Sequence, residues 1–128
     1  MVPLSIMFTG PSLAVIGEEP EDCVTGTASY AKQGRAKAFA ANVGLVQLHA
    51  EPEDGRLLAA KLFGPASEHS AHLLAWAVSC RLTATDALDL PFYHPTYEEG
   101  LKPALRVICA KVCAPVPEDR DDGFLPGF

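Results

Sequence analysis

The chain has 128 residues, which suits a single domain, because a chain of about this size buries roughly two-thirds of its unfolded surface. Its formal net charge is −6, its pI is near 5.1, and its 10 basic residues are scattered, which argues against nucleic-acid binding. No apolar stretch reaches the roughly 18 residues of a membrane span, and no basic segment followed by a hydrophobic run opens the chain. We therefore expect a cytoplasmic protein that does not contact a membrane.

The first third of the chain predicts short extended segments. Residues 4–8 and 14–16 have strand composition, with Gly10-Pro11 between them. Residues 18–26 contain Pro20 and the β-branched Val24 and Thr25, so we expect at most a short or broken helix there. Residues 27–42 are alanine-rich, and the sequence leaves both helix and strand open for them.

A β-hairpin is predicted in the centre of the chain. Apolar and polar residues alternate from residue 44 to residue 51, the period of a strand with one wet face. His49 lies on the polar side of that strand, where we expect it to be solvated. Asp54-Gly55 predicts a turn, and residues 57–63 predict a more apolar returning strand.

The next segment predicts a helix that is apolar on nearly all sides. Ser67 is a candidate N-cap, and one face carries Ala71, Leu74, Ala75, Val78 and Leu82. The opposite side carries Leu73, Trp76, Ala77 and Cys80. Such a helix needs a cover on both sides, so we expect its own sheet on one side and a second copy of the chain on the other.

The last third predicts two more helices and a tail. A capped short helix is predicted at residues 85–88, and a longer helix from Thr96 with an apolar stripe. That stripe consists of Leu101, Leu105, Ile108 and Val112. Pro103 predicts either a kink or a new helix start near Lys102. Residues 115–128 predict a flexible acidic tail rich in Pro and Gly, with Phe124 and Phe128 as docking points.

The four cysteines predict reduced thiols, because they form neither a Cys-x-x-Cys pair nor a disulfide scaffold. Cys109 and Cys113 would share a helix face, and a redox or metal pair is one interpretation. Packing as small apolar residues is the favoured one. His69 and His72 have a metal-binding spacing but no evident third ligand, so we predict no metal site.

A histidine and a carboxylate stand five residues apart near the end of the chain, in Tyr93-His94-Pro95-Thr96-Tyr97-Glu98-Glu99. A carboxylate can fix the tautomer of a histidine and favour its protonated form, which suits acid-base chemistry. The residues alone also allow a structural role, because Thr96 and Glu99 fit a capping box and His94 fits an ordinary loop histidine.

Several segments in this order resemble one known family. They are Phe8-Thr9-Gly10-Pro11 through Gly17, Arg35-Ala36-Lys37, Gly44 through Leu48, Asp54 through Leu58, Phe63-Gly64-Pro65 and His94-Pro95-Thr96 with Glu99. Together they resemble the C-terminal dimerisation domain of the FAD-dependent pyridine nucleotide-disulfide oxidoreductases, of which dihydrolipoyl dehydrogenase is the best-known member. The resemblance spans roughly residues 2–112.

The resemblance implies an α+β fold in which helices pack on one face of an antiparallel β-sheet, over residues 1–114. It implies a homodimer, with FAD and NAD(P) bound by separate N-terminal domains and not by this chain, and a small dithiol or disulfide substrate. It also implies that His94 is the acid-base group at the partner subunit's flavin-disulfide site, that Glu99 orients it, and that His94 and Pro95 lie near the cofactor.

The chain has no G-x-G-x-x-G fingerprint and no redox Cys-x-x-x-x-Cys pair, so we expect it to be inactive alone and to belong to a larger flavoenzyme. The alternative is a stand-alone homodimeric binding module without catalysis.

Overall fold

Five strands form one antiparallel sheet in the part of the chain that the structure describes. The computed structural model describes residues 6–9, 13–29, 44–64, 67–92, 96 and 98–118. The strands are β1 (Ile6–Thr9), β2 (Leu13–Ile16), β3 (Val24–Ser29), β4 (Leu45–Ala50) and β5 (Leu57–Phe63). Their spatial order is β1-β2-β5-β4-β3, with β2 and β4 on either side of β5. The two outermost strands are thus β1 and β3.

The helices lie on one face of this sheet. They are α1 (Ser67–Ser79), α2 (Ala84–Leu88) and α3 (Lys102–Val112), and a 3₁₀ turn (Glu98–Leu101) precedes α3. α1 packs on β2 and β5, whereas α3 packs on β3 and β4. The buried strand residues that face the helices are in register across the sheet: Ala14, Ile16, Ala28, Val46, Leu48, Ala60 and Leu62. This arrangement confirms the predicted α+β fold with helices on one face.

The hairpin is confirmed in the centre of the sheet. β4 and β5 pair as an antiparallel hairpin, with Leu48 opposite Ala60. Gly55 in the connection has a φ of +75°, a conformation that favours glycine, and its backbone carbonyl accepts a hydrogen bond from Ala84. The register shifts between His49 and Ala50, at the end of β4, where the shift alters the local twist of the strand.

No helix forms at residues 18–26, where we expected at most a short or broken one. Residues 17–23 connect β2 to β3 without regular structure, and we name them the 17–23 loop. Val24 and Thr25 open β3, as their β-branched side chains favour. Gly26 and Ala28 of β3 are buried against α3. Of the undecided segment at 27–42, residues 27–29 belong to β3; the rest, with Arg35-Ala36-Lys37, lies outside the described residues.

The helix ends differ from the predicted ones by one or two residues. Ser67 is the first residue of α1 rather than the residue before it. The short helix predicted at residues 85–88 begins at Ala84 and is capped by Thr83, whose side chain and that of Asp86 complete a capping box. Pro103 lies in the first turn of α3, so the helix starts anew at Lys102 as one of the two alternatives predicted. None of the helices in the described ranges is long and apolar enough to cross a membrane.

All four cysteines are free thiols, as predicted. The expected shared face for Cys109 and Cys113 is wrong. Cys109 is fully buried in α3 near the hydroxyl of Thr85, whereas Cys113 ends the helix in a left-handed conformation and is exposed. The packing interpretation therefore holds for Cys109, whereas Cys113 is exposed to solvent.

Candidate functional site

The segment that carries the histidine motif lies between α2 and α3. His94, Pro95 and Tyr97 lie outside the described residues, so the predicted roles of His94 and Pro95 stay predictions. The described neighbours on either side are Pro91 and Phe92, then Thr96 and the 3₁₀ turn. The acidic tail beyond residue 118, with Phe124 and Phe128, also lies outside the described residues.

Glu99 has a structural contact at the start of the 3₁₀ turn. Its Oε2 accepts a hydrogen bond from the backbone N–H of Thr96 at 3.0 Å. This is the reach-back contact of a capping box, in which the glutamate satisfies an amide that the helix leaves unpaired. Glu99 thus fixes the backbone two residues after His94. Whether the same carboxylate also orients His94 is a separate prediction.

The segment is also held on its N-terminal side. The Lys102 ammonium group lies 5.1 Å from the centroid of the Phe92 ring, and the Lys102 residue is only 6% exposed. A cation over an aromatic face is attracted by the ring's quadrupole, more strongly where water is excluded. Phe92 and Thr96 are therefore anchored on both sides of the histidine position.

An apolar groove of about 490 Å³ opens beside this segment. The outer side of α1 forms one wall, and Leu90, Pro91 and Phe92 contribute to the other. Large apolar side chains are exposed at this groove: Trp76 is 66% exposed and Leu90 is 50% exposed. His69 and His72 also line the groove, but they belong to no group of three possible metal ligands among the described residues.

His49 is buried, contrary to the expectation that it is solvated. It lies in β4 on the sheet face opposite the helices, between Thr25 of β3 and Ala59 of β5, yet it is only 1% exposed. Its Nδ1 lies 3.0 Å from the Thr25 hydroxyl and 3.8 Å from the Cys23 sulfur. The alternation of β4 gave the correct face, but the 17–23 loop supplies neighbours that the pattern did not reveal.

The other ring nitrogen of His49 points to Glu19. Nε2 lies 3.8 Å from Glu19 Oε2, beyond hydrogen-bond distance, and has no hydrogen-bond partner among the described residues. Burial lowers the pKa of His49; the Glu19 carboxylate acts against this shift, and the Lys61 ammonium adds to it. Burial therefore favours the neutral form of the imidazole, in which one ring nitrogen has a free lone pair.

Glu19, Cys23 and His49 form one cluster, in which one possible ligand atom of each residue lies within 4.8 Å of the others. The sequence did not indicate this cluster, because Cys23 and Glu19 are 26 and 30 residues from His49 along the chain. Only the pairing of Thr25 with His49 brings them together. The Glu19-x-x-x-Cys23 spacing by itself is too common to have indicated a site.

The fold and the residues that flank the histidine motif together define a class of domain: a sheet covered by helices on one face, with an exposed apolar groove beside those flanking residues. Comparison with known proteins agrees with this class. Residues 3–105 match the family model described as the pyridine nucleotide-disulphide oxidoreductase dimerisation domain, and the chain belongs to this family.

Curated relatives are similar over most of this chain. It is 29% identical over 106 residues to the dihydrolipoyl dehydrogenase of Halobacterium salinarum, covering 77% of this chain and 22% of that protein. It is 28% identical over 102 residues to the enzyme of the same name from Geobacillus stearothermophilus, covering 74% of this chain and 22% of that protein. The chain thus spans less than a quarter of the length of these relatives.

Solved structures support the same fold. LpdA from Mycobacterium tuberculosis superposes with a TM-score of 0.71 at 20% identity, over 81% of this chain and 24% of that one. The flavoprotein disulfide reductase RclA from Escherichia coli superposes with a TM-score of 0.71 at 21% identity, over 81% of this chain and 26% of that one. At such identities the likeness establishes the fold alone.

Proposed function

We propose that this chain is the dimerisation portion of a flavin-dependent NAD(P)-disulfide oxidoreductase of the dihydrolipoyl dehydrogenase kind. Residues 1–114 form that portion, and residues 115–128 follow it as a tail. FAD and NAD(P) bind to separate N-terminal domains, the substrate is a small dithiol or disulfide, and the protein acts in the cytoplasm. The curated relatives carry this kind of activity in their names, over a region that this chain matches.

In this proposal His94 acts across the interface of a homodimer. It takes a proton from the substrate dithiol at the partner subunit's flavin site, because the thiolate rather than the thiol attacks a disulfide. Glu99 orients His94 and stabilises its protonated ring, and Pro95 sets its approach to the cofactor. All three residues match the family's motif in this sequence.

One observation supports this role most directly. The histidine segment is fastened on both sides, by Thr96 to Glu99 and by Phe92 to Lys102, at the edge of an exposed apolar groove. A group that must reach into another subunit needs a fixed backbone beside a surface that the other subunit covers. Trp76 and Leu90 supply such a surface.

The coding sequence upstream of Val2 provides the first test. A reading frame that continues upstream into a flavin-binding fingerprint and a pair of redox cysteines supports the oxidoreductase. A stop codon directly upstream supports the stand-alone homodimeric module instead, and the catalytic role of His94 is then withdrawn.

The second test replaces His94 by Ala in the full-length protein. Positioned acid-base groups contribute about 10²–10⁴-fold to a rate, so dithiol oxidation should fall by at least about 100-fold while FAD remains bound. Thr27 offers a control outside the groove, because it is exposed on the face of the sheet opposite the helices, and Thr27→Ala should retain most of the activity. Unchanged turnover in the His94 variant would refute the assignment.

A further inference from the structure

The sheet face opposite the helices holds a second group of reactive side chains. β3, β4 and β5 present Thr25, His49 and Lys61 on this face, and the 17–23 loop brings Glu19 and Cys23 above them. The groove, with Phe92 and Thr96 in its lining, lies among the helices on the other face. None of its lining residues belongs to the cluster around His49, so an inference about this cluster does not depend on the proposed oxidoreductase function.

We propose that Glu19, Cys23 and His49 bind one Zn²⁺ ion, with a fourth coordination position open to water. The donor set contains one imidazole nitrogen, one thiolate sulfur and one carboxylate oxygen, a combination that zinc accepts in four-coordinate sites. Calcium and magnesium prefer oxygen ligands alone, so a nitrogen and sulfur pair argues against both. Three protein ligands with one open position is the arrangement of an accessible zinc site rather than a closed structural one.

The unpaired nitrogen of His49 is the strongest sign of a ligand. A buried polar atom without a partner costs free energy, and such atoms are rare in folded proteins. His49 Nε2 is buried, has no hydrogen-bond partner in the described part of the chain, and points toward Glu19. A metal ion at Nε2 would use the lone pair that the fold leaves without a partner.

The Thr25 hydroxyl provides the outer support that a metal-binding histidine needs. It lies 3.0 Å from Nδ1 of His49, so it can accept a hydrogen bond from Nδ1–H and thereby leave the lone pair of Nε2 for the ion. Histidine ligands almost always donate the N–H of their second ring nitrogen to such a partner, which fixes both tautomer and ring orientation. Thr25 is thus a positioning residue.

The geometry requires only a modest closure. Ligand atoms of a tetrahedral zinc site lie about 3.5 Å apart, since each is about 2.0–2.3 Å from the ion. In this cluster one ring nitrogen of His49, the Cys23 sulfur and a Glu19 oxygen lie within 4.8 Å of one another. The sulfur lies 3.8 Å from Nδ1, so it must turn toward Nε2 to share an ion there. Glu19 is 48% exposed and Cys23 is partly exposed, and both belong to the 17–23 loop, so the contraction can come from these two side chains.

The charges of the three proposed ligands favour a divalent cation, and the Lys61 ammonium group competes with that cation for Glu19. A thiolate and a carboxylate together with a neutral imidazole balance the two charges of Zn²⁺. Lys61 is the competitor, because its ammonium group lies 3.4 Å from Glu19 Oε2 and is 48% exposed. Zinc binding must therefore draw Glu19 away from Lys61 or share it.

Zinc titration of the reduced, chelator-treated protein tests the proposal. We expect one Zn²⁺ per chain in competition with a chromophoric chelator, and Co²⁺ in its place should give a thiolate-to-metal absorption band. Cys23→Ser should abolish that band, and Glu19→Gln and His49→Gln should each weaken Zn²⁺ binding by at least about 10-fold, as losses around zinc sites commonly do. Circular dichroism of each metal-free variant verifies that it is folded. If the buried His49→Gln variant does not fold, Glu19→Gln and Cys23→Ser still decide the test, because both substitutions lie in a loop.

Matched controls separate this cluster from other thiols and histidines. Cys80 is exposed, and His72 lies on α1 outside the cluster, so Cys80→Ser and His72→Gln should leave zinc affinity and the cobalt band unchanged. Loss of binding in these variants with retention in Cys23→Ser would overturn the proposal. Absence of stoichiometric zinc from the unmodified protein would overturn it as well.

Two further variants probe the surroundings of the ion. Thr25→Val should weaken Zn²⁺ binding by about 10–100-fold, whereas Thr25→Ser should restore it because the hydroxyl is retained. Lys61→Gln should strengthen Zn²⁺ binding by about two- to fivefold, the value of an exposed ion pair. If these residues had only a structural role, Thr25→Ser would not restore Zn²⁺ binding and Lys61→Gln would not strengthen it. If neither result is observed, the assigned geometry is overturned.

Discussion

The backbone of Gly26 in β3 lies directly against the backbone of Ala104 in α3. A β-carbon at residue 26 would overlap the carbonyl oxygen of Ala104 and would come within 2.8 Å of Ile108 Cγ1. The contact is made by the main chain of a helix, which cannot rotate away as a side chain can. The absence of a side chain at Gly26 therefore sets the distance between α3 and the sheet.

We predict that Gly26→Ala lowers the free energy of unfolding by about 2–3 kcal/mol, the cost of overpacking a filled interior. Chemical denaturation of the variant and the unmodified protein measures this difference. Thr27→Ala is the matched control, because Thr27 is in the same strand but is exposed on the opposite face. Equal stability of Gly26→Ala and the unmodified protein would mean that α3 can shift away from β3.

Substitutions of Glu99 separate its capping contact from its proposed role beside His94. Glutamine can still accept the hydrogen bond from Thr96 but carries no charge, whereas alanine loses both. We expect Glu99→Ala to lower the free energy of unfolding by about 1 kcal/mol. Glu99→Gln should keep most of the stability that the capping contact contributes.

Turnover of the full-length protein should show a different pattern. Both Glu99 variants should oxidise dithiol at least about 10-fold more slowly, because neither can stabilise the protonated imidazole of His94. The pH dependence of turnover provides the measurement. Wild-type turnover in Glu99→Gln would mean that Glu99 is a cap only, and its orienting role would be withdrawn.

The exposed face of α1 predicts the surface of a homodimer. Trp76 is 66% exposed at the apolar groove, and a large aromatic residue in such a position commonly contributes at least about 2 kcal/mol to association. Trp76→Glu should therefore raise the dimer dissociation constant by at least about 30-fold in sedimentation experiments.

Phe63 supplies the control for this experiment. It is 51% exposed, but its position in β5 puts it on the sheet face away from the helices. Phe63→Glu should leave the dimer intact. If Phe63→Glu dissociates the protein and Trp76→Glu does not, the subunits associate through the open face of the sheet.

The buried His49 predicts a loss of stability in acid when metal is removed. Burial lowers its pKa below the ordinary 6.5, with Glu19 opposing and Lys61 assisting the shift; Cys23 and Thr25 are its other polar neighbours. Because the unfolded chain binds the proton first, the contribution of His49 is complete above about pH 6.5 and is lost as pH falls through the lower folded-state pKa.

Denaturation in the presence of a chelator at several pH values between 5 and 8 measures this effect. His49→Gln should remove part of the decline toward acid pH, while His72→Gln, at an exposed position, should not. An identical pH dependence in His49→Gln and the unmodified protein would show that His49 protonates without cost in the folded state.

Much of the fold could be predicted from the sequence because its signals are local. The alternation around Leu48, the Asp54-Gly55 turn and the helical spacing of Leu101, Leu105 and Ile108 each depend on residues a few positions apart. The same holds for the restart of α3 at Lys102, since Pro103 fits only the first turn of a helix. The ordered motifs also indicated the family, which the family model confirms.

The errors arose where distant segments meet. Cys113 could not be distinguished from a helical residue by its spacing from Cys109, because the left-handed end of α3 depends on how the chain leaves the helix. β3 begins at Val24 because the β-branched Val24 and Thr25 favour a strand and β4 is available to pair with them, and the local sequence does not reveal that pairing partner.

The cluster around His49 shows the same division most clearly. The alternation of strand residues between faces is enough to put His49 on the side of β4 opposite Leu48. The cover over this side, the position of Thr25 beside the ring and the approach of Glu19 and Cys23 come from the packing of the folded chain. Burial of a side chain depends on which distant segment packs over it, and the local pattern of a strand contains no information about that segment.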